Sequence, residues 1–89
     1  MYMPNLTATD DINNIHPINR MGIRIYPIKD DVPINSPLDA TNALLITIGS
    51  MYQVYIYASD GQSVIMTRKY RSNNNTWTAW GKYTGTIVT

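Results

Sequence analysis

The sequence predicts a small, mainly β domain, an antiparallel sheet or meander with one or two short helical turns, and three observations support that prediction. Residues 51–83 read MYQVYIYA, SDGQ, SVIMTRKYR, SNNN and TWTAWGKY. These are three runs dense in aromatic and β-branched residues, separated by an Asp-Gly turn and an Asn-rich loop. Helical periodicity is absent beyond Ile12 and Ile15. Finally, 89 residues without cysteine make one domain with a modest core and neither a disulfide framework nor a thiolate zinc site.

Taken in order, residues 1–8 read as a tail or linker from a preceding element, and residues 9–89 as the domain. In TDDINNIHP, Thr9 or Asp10 is expected to cap a short helical turn bearing Ile12 and Ile15, which Pro17 limits. MGIRIYPI gives a first strand in which Ile23 and Ile25 alternate with Arg24 and Tyr26, and Pro27 places its end at an edge. KDDVPINSPLDATN is a loop with one turn of helix expected over 37–41, capped by Ser36. ALLITI then forms a strand ended by Gly49, and its continuous apolar character predicts cover on both faces.

In the following strand Tyr52, Val54, Ile56 and Ala58 are expected on the core face, with Met51, Gln53, Tyr55 and Tyr57 opposite. Asp60-Gly61 reverses the chain, both residues tolerating the positive φ of a tight hairpin. On the return strand Val64, Met66, Arg68 and Tyr70 alternate with Ile65, Thr67, Lys69 and Arg71. Trp77 and Trp80, three positions apart, point to opposite faces of a regular strand unless a bulge intervenes. Trp77 is expected to pack with Val54, Ile56 and Leu45 or Ile46.

Composition narrows the function classes. Seven Lys and Arg against six Asp and Glu give a formal charge of +1, without the basic excess of a nucleic-acid binder. The longest apolar run, Ala43 to Ile46, falls far short of the roughly 20 residues of a membrane span. No basic region followed by an apolar segment marks the N-terminus as a secretory signal. His16 is the only histidine and cannot form a triad or metal site alone. The pairs Asp10-Asp11 and Asp30-Asp31 lack the spaced ligands of a calcium loop and read as capping and solvated residues. No catalytic residue, metal or cofactor is therefore expected, and binding or assembly is favoured. Seven Tyr and two Trp without any Phe suit half-exposed sheet faces and interfaces. Tyr55, Tyr57, Arg68, Arg71 and Trp80 are the candidate contacts, an aromatic and cationic surface for a sugar ring or a partner subunit.

Read as one string, DDINNI, MGIRIY, NSPLDATNALLITI, YQVYIYASDGQ, an arginine strand and NNTWTAWGKY resemble the knob domain of pyocin tail fibres and its relatives in phage tail and baseplate proteins. The matching positions are Asp11 to Ile15, Gly22 to Tyr26, Asn35, Pro37, Leu44, Leu45, Gln53, Tyr55, Arg68, Trp77 and Trp80, over residues 9–84. Two departures are a long Ile15 to Met21 segment and a bulky Lys69-Tyr70-Arg71. The resemblance implies a non-catalytic virion module of a tail or head fibre, made in the host cytoplasm and working outside the cell. There it would be a homotrimer that attaches to a host-surface glycan or spaces the fibre. The alternative is a monomeric carbohydrate-binding module attached to a cell-wall enzyme. A fibre domain with hydrolase activity would need a carboxylate pair or a based serine that the chain does not offer.

Overall fold

The computed structural model describes residues 1–15, 22–49 and 51–88; His16 and the longer part of the Ile15 to Met21 segment lie outside them. One antiparallel sheet contains six strands: β1 (Ile23–Ile28), β2 (Ala43–Ile48), β3 (Tyr52–Ser59), β4 (Gln62–Arg71), β5 (Thr76–Trp77) and β6 (Gly81–Thr84). They form a meander in the order β1-β2-β3-β4-β5, with β6 also on β4. The expected mainly β class is observed, with a single 3₁₀ turn at Ile12–Asn14 among the described residues.

Local chemistry places the turns with some changes. Asp11, rather than Thr9 or Asp10, caps the 3₁₀ turn: its Oδ1 accepts from Asn13 N and Asn35 Nδ2, both at 2.9 Å. Asp10 instead closes the preceding turn, its Oδ2 accepting from Thr7 N at 2.7 Å. No helix forms over residues 37–41, which are bends around Pro37. The Asp60-Gly61 turn joins β3 to β4 as expected, but positive φ falls elsewhere, at Asn35, Asn42, Gly49 and Asn75. Asparagine tolerates this left-handed region better than most residues.

Residues 1–8 are not a free tail. Met1 and Met3 exchange backbone bonds with Ile25, and Leu6 N donates to Pro27 O at 2.8 Å, so this segment runs along the outer edge of β1. Leu6 itself is buried in the core. The opposite side of the sheet is divided between the two residues of β5 and the four of β6.

The register sorts the side chains into two faces of three rungs each. One face carries Arg24, Thr47, Gln53 and Arg68, then Tyr26, Leu45, Tyr55 and Met66, then Ile28, Ala43, Tyr57 and Val64. Leu6, the 3₁₀ turn, Ile15, Leu38 and Trp80 cover it, and it holds the core. The other face carries Ile23, Ile48, Tyr52 and Lys69, then Ile25, Ile46, Val54 and Thr67, then Pro27, Leu44, Ile56, Ile65 and Tyr83.

This inverts the sequence-based assignment. Tyr52 is 48% exposed, Ala58 is exposed and Val54 and Ile56 are half-buried, whereas Gln53 and Tyr55 are fully buried. Nor is β2 covered on both faces: Ala43, Leu45 and Thr47 are buried, but Ile48 on the other side is exposed. A strand's period of two fixes which residues share a face, and tertiary cover decides which face turns inward.

Candidate functional site

The covered face converges on Arg68. From the middle of β4 its guanidinium lies 4.1 Å from the centre of the Trp77 ring and 4.4 Å from that of Trp80, stacked against both indoles. Its Nε donates to Gln53 Oε1 at 2.8 Å, and Nη2 reaches Ile12 O at 3.4 Å. Gln53 Nε2 in turn donates to Ile12 O at 2.8 Å and Ile15 O at 3.1 Å, while Trp77 Nε1 donates to Asn13 O at 3.0 Å. Carbonyls at the end of a short helical turn lack partners of their own. Here Gln53, Arg68 and Trp77 donate to the carbonyls of Ile12, Asn13 and Ile15, beside the backbone bond from Ile15 N to Ile12 O, and fasten the turn to the sheet.

A bulge brings the two tryptophans to the same side. Trp77 pairs with Tyr70, but Gly81 pairs with Thr67, so four positions on one strand oppose three on the other. The extra residue reverses the alternation between β5 and β6, as β-bulges do. Trp77 then meets Tyr70 edge-on at 5.1 Å and Trp80 meets Tyr55 edge-on at 6.5 Å. Trp77 therefore packs on the Arg68 side of the sheet. Val54 and Ile56, expected to be its neighbours, lie on the other face.

Of the five candidate contacts, Tyr55, Arg68 and Trp80 come together, in the interior rather than on an outer surface. Tyr55 is fully buried and Arg68 is 8% exposed; Trp80 and Tyr57 are half-buried and pack with the core. Arg71 stands apart and exposed at the start of the Asn-rich loop, donating through Nε to Thr76 Oγ1 at 3.2 Å and through Nη2 to Trp77 O at 3.3 Å. Sequence reasoning missed Gln53 as a site residue. The available signal was a glutamine inside an otherwise apolar strand, which needs a buried partner if its face is inward.

Desolvation lowers the Arg68 pKa to about 10, opposed by the attraction of Asp11, so the group remains a cation at neutral pH. Burial, with a smaller contribution from Tyr57, raises that of Tyr55. The Tyr55 hydroxyl is buried and has no hydrogen-bond partner among the described residues. No group of three or more potential metal ligands occurs among those residues, and no helix there is long and apolar enough to cross a membrane. Stacked on two indoles and bonded to an amide and a backbone carbonyl, Arg68 ties the turn, β3 and both tryptophans together.

Comparison of the chain with family profiles, curated proteins and solved structures finds no match.

Proposed function

We propose that this chain is a non-catalytic module of a phage tail or head fibre, or of a tail-like bacteriocin fibre. It attaches the particle to a host surface or spaces the fibre, as a homotrimer. The observation that carries the reading is that the more apolar face of the sheet is the open one. The covered face includes a polar rung of Arg24, Thr47, Gln53 and Arg68, whereas Lys69 is the only charged residue on the open rungs. Ile23, Ile48, Tyr52, Ile65 and Tyr83 there are between 39% and 64% exposed.

With the half-buried Ile25, Leu44, Ile46, Val54 and Ile56 they form one contiguous apolar surface, the kind of patch that marks an interaction site. An apolar, nearly uncharged surface is best matched by another like it. Three copies turned inward about a threefold axis would bury all three faces together. The resemblance to fibre knobs supports the same reading, because its scattered positions in the turn, Gln53, Arg68, Trp77 and Trp80 meet in one cluster.

Sedimentation equilibrium of the chain over a wide concentration range tests the reading. A species of three times the chain mass of 10.1 kDa is expected. A monomer at every concentration would sink the fibre assignment and return the chain to the class of monomeric modules.

A further inference from the structure

We propose that Asp60 is a self-modification site: the backbone nitrogen of Gly61 attacks its side chain, and the residue isomerises to isoaspartate. The Gly61 nitrogen forms a bond to Asp60 Cγ, and its proton leaves with the carboxyl OH as water, which closes a five-membered succinimide ring. Water then opens the ring at either carbonyl. Breaking the new N–Cγ bond restores aspartate. Breaking the original peptide C–N bond instead leaves the chain running through Cβ and Cγ, with the carboxylate now on Cα. Nothing is oxidised or reduced, and water is the only co-reactant.

Three observations single out this position. Asp60-Gly61 is the only Asp-Gly or Asn-Gly pair in the chain. Glycine has no side chain to shield the attacking nitrogen, and its backbone rotates more freely than any other toward the geometry of attack. Both residues are exposed at the tip of the β3–β4 hairpin, and no hydrogen bond or ion pair engages the Asp60 carboxylate or the Gly61 N–H among the described residues. A Cβ built at Gly61 would meet nothing within 4 Å, so the turn stands in open space.

The competing positions are restrained. Asp11 Oδ1 is held by Asn13 N and Asn35 Nδ2, and the nitrogen that would attack it, Ile12 N, donates to Ile34 O. Asp10 Oδ2 accepts from Thr7 N. After Asn35, Ser36 N donates to Pro33 O. Asp31 precedes Val32, whose branched side chain crowds the nitrogen.

The modification bears on the fold. Only two residues separate Ser59 from Gln62, the closing pair of an eight-pair ladder, the longest in the sheet. In so short a loop the turn sets the register, and one added backbone atom displaces the closing pair. Isomerisation therefore loosens the adjoining ends of β3 and β4 without changing the mass of the chain.

The test is to hold the folded protein at neutral pH and body temperature for several weeks and to map isoaspartate by peptide chromatography and electron-transfer fragmentation. Isoaspartate should accumulate at Asp60 ahead of every other Asp and Asn. The isomerised fraction, separated by ion exchange, should unfold at a lower urea concentration than the parent. Gly61→Ala should slow the reaction severalfold while keeping the parent's urea midpoint, because the added methyl has room and the φ of Gly61 is not positive. Isoaspartate at Asp60 in the urea-unfolded chain but not in the folded one would overturn the proposal, as would earlier accumulation elsewhere or an unchanged rate in Gly61→Ala. An isomerised fraction with the parent's urea midpoint would overturn the effect on the ladder.

Discussion

Gln53 donates to the carbonyl of Ile12 at 2.8 Å across 41 residues of chain, tying the second inner strand of the meander to the turn that covers it. The same amide accepts from Arg68. Gln53→Leu keeps the approximate shape and removes these two bonds and the one to Ile15 O, stranding the Arg68 Nε in a buried position. It should cost about 3 kcal/mol or more, read as a shift in the urea midpoint. A change below about 0.5 kcal/mol would mean that the turn is held by packing alone.

Arg68→Lys preserves charge but not geometry. A lysine ammonium has no plane to lie between Trp77 and Trp80 and cannot present the guanidinium Nε to Gln53 while reaching Ile12. A loss of about 2 kcal/mol is expected, with a red shift in tryptophan emission as water reaches the indoles. Parent-like emission and stability would reduce the role of Arg68 to that of any cation.

Tyr55→Phe should raise stability at neutral pH. The hydroxyl it removes is buried without a partner among the described residues, a situation that typically costs about 1–3 kcal/mol. A gain of about 1 kcal/mol in thermal or urea unfolding is the expected result; a loss of that size would reveal a partner for the hydroxyl.

Alkaline pH separates two buried groups. The folded-state pKa of Tyr55 lies above its ordinary 10.0, so its stabilising contribution is complete below that value and is lost as pH rises and the unfolded chain ionises. Arg68 runs the other way: with a folded pKa of about 10 against 12.5, the unfolded chain holds the extra proton between them, and that contribution grows with pH. Tyr55→Phe should therefore have a flatter, or even rising, stability profile above about pH 10 than the parent. Parallel profiles for the two proteins in urea titrations at several pH values would contradict the burial of Tyr55.

Ile65→Lys probes the open face without disturbing the core. Ile65 is 46% exposed and centred between Ile56 and Tyr83. The substitution should leave the fold within about 0.5 kcal/mol and weaken self-association by tenfold or more in sedimentation. Undiminished association would place the interface elsewhere.

The strands and their order were legible because each is a run of β-branched and aromatic residues bounded by Gly, Asn, Asp or Pro. The inward face was not. In β3 both alternating sets are apolar enough to be buried, and Gln53 made the truly covered set look like the outer one. Its identity depends on Ile12, Ile15 and Arg68, which are 41, 38 and 15 positions away. The positions of Trp77 and Trp80 were conditional on a bulge, whose presence is set by how β4 pairs with two separate short strands. Tyr55, Arg68 and Trp80 could be named from residue type, but their meeting point required the register. Leu6 was overlooked because one apolar residue among polar neighbours has no periodicity to betray it.

The treatment of the sheet's borders has a consequence for how copies of this protein can meet. An unpaired strand border is a template on which another chain can add its own strand, and repetition of that step leads to open-ended fibrils. Met1, Met3 and Leu6 already occupy the hydrogen-bonding groups of Ile25 and Pro27 along one border. The other is cut into β5 and β6, offset by the bulge, too short and discontinuous to seed a long ladder. In-plane growth is thereby discouraged on both sides, while stacking through the apolar face remains open. If copies do stack through that face about an axis, as proposed, the assembly closes after a fixed number of them instead of growing without end.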